Sequence, residues 1–110
     1  MKTLVETVDR KAVVKVDGRI DTLTAPELDK VVQGVIANNQ TQIVLDLSKV
    51  DYISSTGFRV FIMAQKKTKP QGGQVILMGV SDEIKEIFEI SGFTHLFTFA
   101  ENLESSLASF

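Results

Sequence analysis

Gln42-Ile-Val-Leu-Asp-Leu47 is a near-continuous apolar run of strand length, and few folds can accommodate it. A strand with one wet face alternates apolar and polar residues, whereas a strand covered on both faces has no need to. The run therefore belongs inside a sheet, with other elements packed on it. Upstream, Leu28, Val31, Val32, Val35 and Ile36 recur at i, i+3, i+4, i+7 and i+8, the apolar stripe of an amphipathic helix. Thr24-Ala-Pro-Glu27 before them fits the S/T-x-x-E capping box, with Pro26 in the first turn, where no N–H is required of it. Asn38-Asn39 ends the helix.

The same reading extends along the chain. Leu4 to Val8 and Ala12 to Val16 are two short strands, and the polar turn Asp9-Arg10-Lys11 is so short that they must form a hairpin. Ser54-Ser-Thr-Gly-Phe58 opens a second helix running to about Lys69, before Pro70 and Gly72-Gly73. Gln74 to Met78 is a further strand. Ser81 caps a third helix with Ile84, Ile87 and Phe88 on one face and Gly92 as its stop. Leu96 to Phe99 reads as a short edge strand, and Leu103 and Leu107 mark a small last helix.

The order β-β-α-β-α-β-α-β-α predicts an α/β fold: a mixed, mostly parallel sheet of about five strands packed with about four helices. At 110 residues, with no repeat and no Pro/Gly-rich linker, residues 1–110 read as a single domain. Right-handed crossovers bring the carboxyl ends of the second and third strands to one edge, so residues 17–24 and 48–56 should be neighbours there.

Composition excludes several chemistries. There is no Cys and a single His, His95, so a thiol nucleophile, a thiolate zinc site and a multi-histidine metal site are ruled out. Twelve Lys and Arg against fourteen Asp and Glu leave a net charge of −2, without the basic excess of a nucleic-acid binder. No apolar run is long enough to span a bilayer, and the N-terminal stretch lacks a signal-peptide core, which makes the cytoplasm the default location. No phosphate loop, dinucleotide fingerprint or calcium loop is present, so neither a cofactor nor a metal is expected.

The carboxyl edge carries the candidate residues. Its loops are Asp17-Gly-Arg-Ile-Asp21 and Ser48-Lys-Val-Asp-Tyr-Ile-Ser-Ser-Thr-Gly57. Asp46 interrupts the apolar strand just before the second loop, where the plain structural role is to accept a loop amide. Ser54, Ser55 and Thr56 stand where a helix begins, and a hydroxyl there ordinarily caps a free N–H. The same unpaired N–H groups would favour a phosphate, which would change the charge of this edge by about −1.5 to −2. In the helix that follows, Val60, Phe61 and Ala64 make a core stripe. Phe58, Ile62 and Met63 widen the apolar arc beyond it, with Met63 near Arg59 and Lys66, on the face that should be wet. One reading is a broad core with an exposed Met; the other is a partner surface beside Ser55.

Val16-Asp-Gly-Arg-Ile-Asp21, Ile43-Val-Leu-Asp-Leu47 and Val50-Asp-Tyr-Ile-Ser-Ser-Thr-Gly-Phe58 together resemble the STAS-domain anti-anti-sigma factors, or anti-sigma factor antagonists, over nearly the whole chain. The resemblance implies a bacterial partner-switching module of the cytoplasm. In that family an anti-sigma factor that is also a serine kinase, of the histidine-kinase-like ATPase fold, phosphorylates one serine, and a PP2C-type phosphatase reverses it. The unphosphorylated form binds the kinase and frees its client. The acceptor in the family's D-S-[S/T]-G pattern aligns with Ser55, followed by Thr56 and Gly57. Ser54 replaces the motif's Asp and is the alternative acceptor. Asp21 and Asp46 match acidic positions near the acceptor. The partner surface then comprises Asp21, Asp46, Ser54, Thr56, Gly57, Phe58, Arg59, Ile62 and Met63.

Two other readings compete. A STAS scaffold without phosphorylation could serve a signalling or lipid-transport complex. A small hydrolase with Ser55 as nucleophile would need a positioned base, for which only His95 or a carboxylate is available. A monomer is the default oligomeric state.

Overall fold

The computed structural model describes residues 1–110. Strands β1 (Lys2–Val8) and β2 (Lys11–Asp17) form the N-terminal hairpin, in antiparallel register from Val8 opposite Lys11 to Lys2 opposite Asp17. The turn residues Asp9 and Arg10 have φ of 51° and 68°, the left-handed pair of a two-residue type I′ turn, whose twist suits the strands it joins. Next come α1 (Ala25–Ala37), β3 (Gln42–Lys49), α2 (Ser55–Thr68), β4 (Gln74–Met78), α3 (Asp82–Ile90), β5 (Thr98–Ala100) and α4 (Leu103–Leu107). The sheet order is β1-β2-β3-β4-β5, antiparallel in the hairpin and parallel thereafter. The alternation expected from the sequence is the alternation observed.

β3 shows why its sequence is nearly all apolar. Ile43, Leu45 and Leu47 point into a cluster of 23 buried residues, which also holds the inward faces of α1, α2 and α3. Val44 points the other way, into a cluster of four with Val13, Ile76 and Met78, covered by Leu103 of α4 and by Phe110. Three helices thus lie on one face and a single short helix on the other. The bulk of the core is one-sided, although the central strands are buried on both sides.

Three expectations need correction. Thr24 caps nothing with its side chain, and its own backbone is helical. Its hydroxyl turns back instead, donating to the Arg19 carbonyl at 2.8 Å and accepting the Asp21 N–H at 2.9 Å. Ile87 does not share the buried face of α3: Ile84 and Phe88 are buried, while Ile87 is 41% exposed. The last strand starts later than Leu96, because Thr94–Leu96 forms a 3-10 turn and pairing with β4 begins at Thr98 opposite Ile76. The ends of α3 are as read. Ser81 Oγ accepts the Ile84 N–H at 3.3 Å. Gly92, at φ 76°, lets the N–H groups of Gly92 and Phe93 donate back to the carbonyls of Glu89 and Phe88 in a Schellman motif.

Candidate functional site

The two loops expected to meet at the carboxyl edge are stitched together there. Past the end of β2, Gly18 N–H donates to the Lys49 carbonyl at 3.1 Å. Ile20 N–H then donates to the Tyr52 carbonyl at 2.9 Å, and Ser54 N–H donates to the Ile20 carbonyl at 2.8 Å. These bonds make Ile20 and Ile53 an isolated parallel bridge, with both side chains buried. Because the strands follow chain order, no reversal opens a cleft at this edge; the bridge closes it. The start of α2 is therefore presented on a rim tied by these backbone hydrogen bonds.

Ser54 and Ser55 differ sharply on that rim. Ser54 is extended, half-buried, and its hydroxyl accepts the Gly57 N–H at 3.2 Å, an ordinary N-cap. Ser55 is the first helical residue and is exposed. Gly57 is buried because it must be: a Cβ there would lie 2.6 Å from Ile20 Cγ2 and 2.9 Å from Ile53 Cγ2. The glycine lets the helix start sit directly on the bridge. Phe58 also turns inward, 8% exposed, with its ring edge-on to Phe88 at 4.6 Å. Gly57 and Phe58 thus seat the site, and of the two Phe58 still lines the groove that holds Ser55.

The exposed flank of α2 is formed by Arg59, Met63 and Lys66, with Ile62 half-buried beside them. Arg59 and Met63 make a ridge between two shallow grooves. One, of about 240 Å³, lies toward α1 with Pro26, Asp29 and Thr56 on its walls. The other, of about 420 Å³, includes Ser55, Ile62, Ser91 and Phe93. Met63 is 52% exposed, so the broad apolar arc of α2 does reach solvent.

Asp21 stays at the rim. Its carboxylate accepts the N–H groups of Leu23 and Thr24, both at 3.0 Å, and at 3.1 Å shares the Thr24 hydroxyl proton with the Arg19 carbonyl. The Thr24 N–H, foremost, holds this carboxyl below the usual aspartate range, against a smaller opposing effect of desolvation. Asp46 takes the plain structural role, accepting an amide from the following loop, and does so on the other face of the sheet. Side chains alternate along β3, so Asp46 shares the face of Val44, away from α2. It accepts the Ser48 N–H at 3.0 Å and the Ser48 hydroxyl at 2.6 Å. It lines a groove with Lys2, Lys15 and Lys49 on the far side of the sheet. Two strongly placed residues were missed by sequence reasoning: Arg19 stacks its guanidinium 4.4 Å above the Tyr52 ring, tying the two loops on their outer side. The only signal was their presence in the two loops. No group of three or more His, Asp and Glu side chains is arranged to hold a metal ion.

This fold and this rim are those of the STAS domain, and residues 2–106 match that family. The chain belongs to the STAS domain family. It is 30% identical to BtrV of Bordetella bronchiseptica over 110 residues, covering all of this chain and 95% of that one. It is 34% identical to the anti-sigma-B factor antagonist of Staphylococcus aureus over 98 residues, 89% of this chain and 91% of the other. Among solved structures, an anti-sigma factor antagonist from Mycobacterium paratuberculosis superposes with a TM-score of 0.89 at 28% identity, covering 98% of this chain and 92% of that one.

Proposed function

We propose that this protein is an anti-sigma factor antagonist that works as a phosphorylation-controlled partner switch, with Ser55 as the acceptor. The observation that carries the reading is the contrast at the start of α2. The Ser54 hydroxyl is engaged in capping, while Ser55 is exposed beside the Arg59–Met63 ridge. A kinase can reach Ser55 without unmaking the helix cap. In the unphosphorylated state the ridge and its grooves receive an anti-sigma factor that is also a serine kinase of the histidine-kinase-like ATPase fold, and that factor lets go of its client. A PP2C-type phosphatase restores the state. The domain itself catalyses nothing, and the switch operates in the cytoplasm; no helix here is long and apolar enough to cross a membrane.

The magnitudes are adequate. Moving a partner from mostly bound to mostly free takes about a hundredfold in affinity, or about 2.8 kcal/mol. An unpaired charge buried at an interface costs about 2–5 kcal/mol. One phosphate at the first turn of α2 supplies that penalty. It also sits where the helix tolerates negative charge, so the domain need not refold.

Three baits test this: wild type, Ser55→Ala and Ser55→Glu, each used to capture partners from the source lysate, followed by phosphosite mapping with the captured kinase. Wild type and Ser55→Ala should retain a kinase of that fold, Ser55→Glu should lose it, and the kinase should modify wild type at Ser55. Equal capture by all three would point to the scaffold reading, and phosphate found on Ser54 would move the acceptor.

A further inference from the structure

The two edges of the sheet are finished differently. β5 is three residues long and has α4 beside it. β1 is seven residues long, carries no proline, and pairs with β2 without a bulge over its whole length. An open edge of this kind is a template for another strand. Val8 and Lys11 flank the two-residue turn and so bond to each other, which directs the backbone groups of Leu4 and Glu6 inward to β2. Those of Thr3, Val5 and Thr7 face outward, unpaired. Leu4 and Val5, on opposite faces of β1, are 54% and 43% exposed.

We infer that β1 pairs with β1 of a second copy, antiparallel about a twofold axis at Leu4, joining two sheets into one. The sequence Lys2-Thr-Leu-Val-Glu6 is self-complementary in that register. Leu4 meets its own counterpart, Thr3 lies opposite the partner's Val5 with both sets of outward groups paired, and Lys2 lies opposite the partner's Glu6. Lys2, Leu4 and Glu6 share one face, the face where Lys15 already reaches Glu6 at 3.5 Å. The register centred on Val5 would set Leu4 against the partner's Glu6 and forfeit the charge match. α2 packs mainly against β4 and α1 rather than β1, so the pairing does not use α2, and the inference does not depend on the proposed switch.

A five-residue strand pair is smaller than a standard interface, so the dimer should be weak, with a dissociation constant on the order of 0.1 mM, and sensitive to salt. Sedimentation equilibrium of the full chain, from about 10 µM to about 1 mM, reads it. Wild type should dimerise across that range. Lys2→Glu should weaken association at least about tenfold, and Lys2→Glu combined with Glu6→Lys should restore it. By NMR, the Thr3 and Val5 amides should gain exchange protection only at high concentration. A wild-type chain that stays monomeric to about 1 mM overturns the inference, as does a dimer indifferent to Lys2→Glu, a failed charge swap, or unprotected Thr3 and Val5 amides.

Discussion

The hydroxyl of Ser54 accepts the Gly57 N–H, whereas Ser55, one residue on, is exposed. Their substitutions should therefore separate. Ser54→Ala should cost about 1 kcal/mol of unfolding free energy by loss of the cap, and Ser55→Ala should stay within about 0.5 kcal/mol. Urea denaturation of the two variants checks this, and equal losses would mean that the roles are shared. Gly57→Ala belongs to the same scale. Its Cβ would press on the Ile20 and Ile53 methyls, so it should destabilise by about 1–3 kcal/mol, read in the same titrations. Asp21 contributes to the pH dependence. Its carboxyl is held low when folded, so its contribution is whole above the unfolded value near pH 4 and is lost as pH falls through the lower folded value. In Asp21→Asn that part of the acid sensitivity should vanish. A carboxyl titration followed by NMR should place the wild-type Asp21 midpoint below the ordinary aspartate value.

Among the elements, α2 is the one that holds site and sheet together, and a buried glutamine shows how. β4 pairs with β5 only from Ile76 onward, so the N–H of Val75 has no strand beside it. Gln65 fills the gap: its Oε1 accepts the Val75 N–H at 2.7 Å, and its Nε2 donates to the Leu96 carbonyl at 2.7 Å. The side chain is 2% exposed, and it substitutes for a missing residue of β5. Gln65→Leu would leave the buried Val75 N–H and the part-buried Leu96 carbonyl without this partner, and a loss of about 1–3 kcal/mol is expected, chiefly from Val75. Thermal denaturation would show it, and hydrogen exchange should locate the loosening at Val75. The periodicity of α2 placed its stripe at Val60, Phe61 and Ala64, and all three are buried. It did not reveal Gln65, because polar residues on an apolar face are read as boundaries unless their partners are known.

Over the whole molecule, Phe88 joins the parts that carry the rim. Its ring packs edge-on against Phe58, Phe97 and Phe99 at 4.6, 5.8 and 5.3 Å and stacks near Phe61 at 6.5 Å, so α2, α3 and the C-terminal segment share one aromatic cluster. Phe88→Ala should cost about 3–5 kcal/mol and broaden or abolish cooperative unfolding by urea. Much of this architecture was legible beforehand. The helix stripe of α1, the apolar run of β3, the cap Ser81 and the stop at Gly92 are local patterns, set by backbone geometry and by which face meets water. From their order follow the parallel crossovers and the meeting of residues 17–24 with 48–56. What only the tertiary structure decided were matters of contact and facing. The Thr24 hydroxyl went to Asp21 and Arg19 rather than to its own helix because a second set of acceptors lay within reach. Asp46 fell on the sheet face away from α2 because a two-residue alternation leaves no choice once Val44 and Leu45 are assigned. Ser54 and Ser55 look interchangeable in the chain, and became distinct only when α2 was seated on the Ile20–Ile53 bridge. A sequence records the hydroxyls; their directions come from what packs beneath them.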